Sequence, residues 1–164
     1  MKPLDIDRLN LHSPYHVVYK ESKYVFKTDY DIVYAIQFEF DGVYIGNPAY
    51  WFVLTNQDFK SSPNDVKLKD TVISIIEEFF RKNSNILLYM CANTNDQQAM
   101  RNRLFLRWFN SYKLHDSFSV HTARLQDEDI DNYVALIVQR NNPLYHEIVT
   151  YFNEVIGQFK ENKP

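Results

Sequence analysis

Apolar and polar residues alternate along the first third of the chain, the period-two pattern of half-buried strands. YHVVYK (15–20) and KYVFKT (23–28) flank Glu21-Ser22, which suits a two-residue hairpin turn. DIVYAIQFEF (31–40) alternates through Ile32, Tyr34, Ile36, Phe38 and Phe40. Asp41-Gly42 is the strongest turn dipeptide in the chain, and Tyr50 to Thr55 (YWFVLT) predicts a fourth strand beyond it. The pattern then changes period. Leu68, Val72, Ile75, Ile76, Phe79 and Phe80 recur at helical spacing. Ser62 is placed to cap that helix, with Pro63 at its first position and Asp65 answering the cap, and the helix is expected to run to about Lys82.

ILLYMC (86–91) is a continuous apolar run, as in a strand covered on both faces. A second helix is expected over about 96–112. FSVHTAR (118–124) and NYVALIVQR (132–140) predict two strands around an acidic loop, QDEDID (126–131). Asn142-Pro143 begins a last helix, about 143–160, with Leu144, Ile148, Phe152, Val155 and Phe159 facing inward. The first 13 residues look like a polar leader with little to anchor them. The expectation is a leader over 1–13 and a single α+β domain over 14–164. Its mixed, mainly antiparallel sheet follows the order β-β-β-β-α-β-α-β-β-α.

Composition narrows the chemistry. The chain has 164 residues, with 18 Lys and Arg against 21 Asp and Glu, a formal net charge of −3. That balance does not favour a dedicated nucleic-acid binder. Only 3 glycines occur, where average usage of about 7% would give roughly eleven. Neither a P-loop nor a dinucleotide fingerprint can be built from them. Cys91 is the sole cysteine, so no internal disulfide and no Cys-rich zinc site can form. The opening MKPLDIDRLN carries charges and a proline where a signal peptide needs an apolar run, and Val134 to Val138 is the longest aliphatic stretch. A cytoplasmic location and no membrane contact are expected. Aromatic residues make up 16% of the chain, which fits a sheet-rich core or an interface rich in Tyr and Phe.

The predicted element order resembles the core of the GNAT acetyltransferase superfamily. Locally, ILLYMCANTNDQQAMRNRLFLRWF resembles the passage that lies near coenzyme A in that family, through Asn93, Ala99, Arg103, Leu104 and Phe105. The resemblance implies an acyl-CoA-dependent N-acyltransferase with coenzyme A as cofactor. The chain departs from it at the phosphate loop. Where active members cradle the pyrophosphate on a Gly-rich turn, this sequence has SSPNDVKLKD, without glycine and with Pro63 removing a donor. Lys67 and Lys69 offer charge there but no backbone nest. A second resemblance covers most of the chain. DTVISIIEEFF, NILLYMCAN and QQAMRNRLFLRWF are similar to a family of uncharacterised Bacteroidetes proteins, a domain of unknown function, which implies no activity.

Several residues stand out for chemistry. In the second predicted helix Met100, Leu104, Phe105, Trp108, Phe109 and Tyr112 share one half, and Arg101 falls in the middle of that arc beside Gln97. A buried arginine must be paired. Asn93, Gln97 and Arg101 therefore suggest an anion site at the strand end, with a structural salt bridge as the alternative. Arg103 and Arg107 offer phosphate or RNA contact, or simply a solvated face. Asp127, Asp129 and Asp131 begin like a calcium loop, but Asn132 and Val138 break that pattern. The five histidines show no metal spacing, and no metal site is expected. His121, flanked by alternation with Ser119 and Ala123, suits a general base or an ordinary sheet histidine. Cys91 suits a nucleophile near it or an inert buried thiol.

No complete catalytic constellation emerges. The expected function is a non-catalytic binding or interaction module, without a cofactor, on a degenerate acetyltransferase-like fold. Its partner would be another protein or a second copy of the chain. Tyr44, Tyr50 and Trp51, at the edge of the meander, are the interface candidates. An N-acyltransferase, and an RNA-linked toxin-type component, remain the alternatives.

Overall fold

The computed structural model describes residues 1–58, 60, 63–92, 107–108, 117–127 and 130–161. Its seven strands are β1 (Val18–Lys20), β2 (Lys23–Lys27), β3 (Val33–Tyr44), β4 (Asn47–Asn56), β5 (Ile86–Ala92), β6 (Phe118–Asp127) and β7 (Ile130–Gln139). They form one sheet in the order β1-β2-β3-β4-β5-β7-β6. Among the described residues it is accompanied by the helices α1 (Ile6–His12), α2 (Val66–Lys82) and α3 (Tyr145–Glu161). The mixed α+β class and mainly antiparallel sheet match the sequence reading. Close packing divides the chain into two compact units, residues 1–39 with 52–84 and residues 40–51 with 85–164. β3 and β4 run through both.

In the first unit, Glu21 and Ser22 carry φ of 53° and 63°. Two consecutive left-handed residues make the primed turn whose twist suits a hairpin. Lys20 therefore faces Lys23, and Tyr19 faces Tyr24. Alternation along β2 turns Tyr24 and Phe26 inward, where their Cα partners on β3 are Ile36 and Tyr34. Below them lies α2. All six residues of the predicted helical stripe are buried. The Phe79 ring stacks on Phe38 with centroids 5.0 Å apart, and Phe38 meets Phe52 edge-on at 5.8 Å.

Three sequence expectations for this part of the chain need correction. The cap of α2 is Asp65, not Ser62, which lies outside the described residues. Its carboxylate accepts the amides of Lys67 and Leu68, and the buried Tyr15 hydroxyl donates to its second oxygen at 2.7 Å. That tertiary bond holds the carboxylate at the helix start. The turn after β3 is not Asp41-Gly42. β3 continues to Tyr44, and the left-handed pair is Ile45 and Gly46, at φ 50° and 77°. Gly42 takes its own φ of 104° inside the strand, where a side chain would be strained. Finally, the leader is anchored. Asp5 caps α1, Leu4 and Leu9 are buried, and the Leu4 amide donates to the Tyr24 hydroxyl at 3.2 Å. A short apolar pair within a polar stretch is enough to tie it down.

The second unit is built on β5. It pairs in parallel with β4 (Ala49↔Ile86, Trp51↔Leu88) and antiparallel with β7 (Leu87↔Ile137, Leu88↔Leu136). A parallel neighbour requires a crossover, and α2 lies in that connection. Ile86, Leu87, Leu88 and Tyr89 are all buried, which is why the sequence shows a continuous apolar run there. Ala49, Ile86, Leu88, Val134, Leu136 and Val138 pack against Ile148 and Phe152 of α3. The predicted acidic loop is shorter than expected: β6 reaches Asp127 and β7 starts at Ile130, so Gln126 pairs with Asp131. Of the predicted second helix only Arg107 and Trp108 are described; both are helical, and Trp108 is buried.

Candidate functional site

The anion-site residues Asn93, Gln97 and Arg101 lie outside the described residues, as does Arg103; Arg107 is exposed. Cys91 pairs through its backbone with Tyr133, whereas His121 pairs with Leu136. Among the described residues no three His, Cys, Asp or Glu side chains gather as metal ligands. No helix there is long and apolar enough to cross a membrane.

The interface candidates sit elsewhere than the sequence suggested. β4 lies between β3 and β5, so Tyr50 and Trp51 are not on a sheet edge. Tyr50 is only 9% exposed, its ring 5.5 Å from that of Phe40. Trp51 is half-buried against the core of the second unit. Tyr44 is half-buried too. Its hydroxyl donates to Asp41, and its ring meets Tyr151 of α3 edge-on at 5.6 Å. Burial, and then the Asp41 carboxylate, push the Tyr44 hydroxyl well above its usual range, so it stays protonated.

Several exposed apolar residues of the second unit belong to the same hairpin or to α3. Phe40 and Val43 are each 62% exposed, Ile45 41% and Tyr151 39%. The sequence reading missed Val43 and Ile45 because it ended the strand at Phe40, and its alternation did not foresee that Phe40 is exposed. The true strand carries Val43 and Tyr44 out to a tip at Ile45-Gly46. The signal was present in Gly46 and Asn47, a second pair of turn residues.

α3 faces this tip within the same unit. Asn142 holds the turn before it: the side-chain oxygen accepts the Leu144 amide at 2.9 Å, and the side-chain amide donates to Asn47 at 3.3 Å. Ile45, His146, Glu147, Thr150, Tyr151 and Glu154 then line an open depression of about 310 Å³. The depression is open to solvent rather than enclosed.

Behind that face lies a polar cluster. Ser119 and His121 share one face of β6 because strand side chains alternate. Ser119 Oγ lies 2.9 Å from His121 Nε2, and the Tyr145 hydroxyl lies 3.0 Å from each. Burial, with Arg140 adding to it, lowers the His121 pKa, so the ring is neutral near pH 7. A serine and histidine at this distance can form a nucleophile–base pair. Here Ser119 is only 7% exposed and Tyr145 engages both groups. The cluster ties the first turn of α3 to β6.

This arrangement predicts a pH dependence. The unfolded chain binds the His121 proton more readily than the folded chain, so stability rises with pH over that range. As pH falls below about 6.5, the folded state must accept a disfavoured proton and loses stability. The urea midpoint should fall between pH 7 and pH 5 by more in wild type than in His121→Gln. Equal slopes in the two proteins would refute this role for His121.

Comparison with curated proteins and with solved structures finds no match. A family model does match, and its span takes in α2, β5 to β7 and the first turns of α3, including the α3 side of the depression and the Ser119–His121–Tyr145 cluster. Residues 64–154, more than half of the chain, match the model of DUF6169, a family of unknown function, and the chain belongs to that family.

Proposed function

We propose that the chain is a non-catalytic protein-interaction module whose contact surface is the β3–β4 hairpin tip with the outer face of α3. The observation that carries this reading is the exposed apolar tip. Phe40, Val43 and Ile45 are exposed on the β3–β4 hairpin, and Ile45 lines an open depression with Tyr151. Scattered single apolar residues on a surface need no explanation, but several on one hairpin mark an interaction site. Tyr44, Tyr50 and Trp51 act in this reading as the packed base beneath the contact residues. The GNAT-like element order supports an acyl-CoA-dependent alternative, but its Asn93, Gln97 and Arg101 lie outside the described residues.

A peptide-display selection against the immobilised protein tests the reading. Wild type should enrich apolar-containing peptides, and a Phe40→Ser/Ile45→Asp double variant should lose them. Both positions are exposed, so the variant keeps its fold, verified by circular dichroism. Removing apolar anchors of this kind costs about 2 kcal/mol of binding, roughly thirtyfold in Kd. Equal enrichment by both proteins would place the contact elsewhere. Saturable heat with coenzyme A in calorimetry would favour the acyl-transfer alternative.

A further inference from the structure

The α3 side of the depression carries a repeat. Glu147, Thr150, Tyr151 and Glu154 stand at i, i+3, i+4 and i+7, and so share one helix face. All four are exposed, and with Ile45 and His146 they line the depression. Tyr151 is held in place by the edge of the Tyr44 ring. The face therefore reads acidic, apolar, acidic along its length.

Several carboxylates of the first unit are held by cations. There Glu78 is held by Arg81 and Arg8, Asp29 by Lys67, and Asp31 by Lys27. Among the described residues neither Glu147 nor Glu154 makes a hydrogen bond or an ion pair. Glu147 lies in the first turn of α3, where a negative charge favours the helix dipole. Glu154 lies two turns further on and has no such role. Both are therefore free to meet a cation brought by another molecule.

The spacing selects the form of that molecule. One heptad on α3 separates the two carboxylates by about 10 Å along the axis. Same-face positions on a strand recur at about 7 Å and about 13 Å, and neither matches. Residues one heptad apart on a second helix do match, and such a helix brings apolar residues at i+3 and i+4 between them. The net charge of −3 adds a long-range attraction for a basic partner.

We infer that this face receives an amphipathic helix of a partner protein, whose two basic residues one heptad apart meet Glu147 and Glu154 while its apolar residues cover Ile45 and Tyr151. The inference rests on the interaction reading above and adds the partner's charge and secondary structure to it.

Fluorescence anisotropy on the full chain tests it, with a fluorescein-labelled peptide of sequence AKAALLAAKAALLAAKA as probe. This peptide places lysines one heptad apart with leucine pairs between them. A control peptide carries glutamine in place of every lysine. Wild type should bind the lysine peptide about tenfold more tightly than the control, an advantage that shrinks with added salt. A Glu147→Gln/Glu154→Gln double variant should lose that tenfold and bind the control as wild type does. Both substitutions are exposed and leave the core untouched. Equal binding of the two peptides to wild type would overturn the charge inference and leave the interaction reading standing. Binding of neither peptide would overturn the helix inference, with the display selection deciding the interaction reading separately. Self-association of wild type that occludes this face and survives the double variant would also overturn it, making the occupant a second copy of the chain.

Discussion

Phe79→Ala should unfold the first unit more readily than any other single truncation argued from this structure. The Phe79 side chain is fully buried on α2, stacked on Phe38 at 5.0 Å and in edge contact with Phe80 at 5.2 Å. Truncation removes its transfer free energy and leaves a cavity that α2 and the sheet cannot close without strain. Changes of this kind cost about 3–5 kcal/mol. For a chain of this length that lowers Tm by about 10 °C. The urea midpoint should fall with an unchanged m-value, since the same surface is exposed on unfolding. A loss below about 1 kcal/mol would mean that the Phe38–Phe79 stack is not part of the folded core.

The next largest effect is expected at Asp65→Ala, because two interactions end on one carboxylate. The first is the cap of α2, through the amides of Lys67 and Leu68 at 3.0 and 3.2 Å. Replacing a capping residue by alanine costs about 1 kcal/mol. The second is the Tyr15 hydroxyl, which is buried and donates to Asp65 while accepting the Asp29 amide. Burial is the main reason that the Tyr15 pKa is pushed up to about 12, with Asp65 adding to it. Removing the acceptor leaves a buried donor unpaired, at a further cost of about 1–3 kcal/mol. The sum for Asp65→Ala is about 2–4 kcal/mol. Asp65→Asn keeps an oxygen for the helix amides and should recover about 1 kcal/mol of it. If asparagine and alanine destabilise equally in urea titrations, the cap contributes nothing and the account of α2's start is wrong.

Local rules read well where one element decides its own fate. The stripe from Leu68 to Phe80 follows from helical spacing alone, and the Glu21-Ser22 turn follows from two strands separated by two residues. Ile86 to Tyr89 show the uninterrupted apolar run that a strand between two others requires. The rules failed where two local signals competed. Ser62 and Asp65 both suit a helix cap; Tyr15, fifty residues earlier, favours the second. Asp41-Gly42 and Ile45-Gly46 both offer turns. The first dipeptide has the stronger intrinsic preference, yet the second closes the hairpin.

The candidate site shows the same division. Tyr44, Tyr50 and Trp51 were readable as aromatics on strands near a turn, but not as the packed base under Phe40, Val43 and Ile45. Which aromatic is covered depends on strand order, and the sequence does not encode order in any short window. His121 and Ser119 were legible as same-face neighbours on β6. Their link to Tyr145 was not, because it joins positions more than twenty residues apart.

The sequence by itself determined the α+β class, the buried stripe of α2, the covered apolar run of β5, and the exclusion of Gly-rich nucleotide loops. These follow from side-chain spacing and backbone preference, which act within a few residues. The tertiary structure decided which cap holds α2, where the β3–β4 hairpin turns, that the leader is anchored, and that the acidic face of α3 stands beside an exposed apolar tip. Each of these is a contact between distant segments, set by burial and hydrogen bonding that only the folded chain can satisfy.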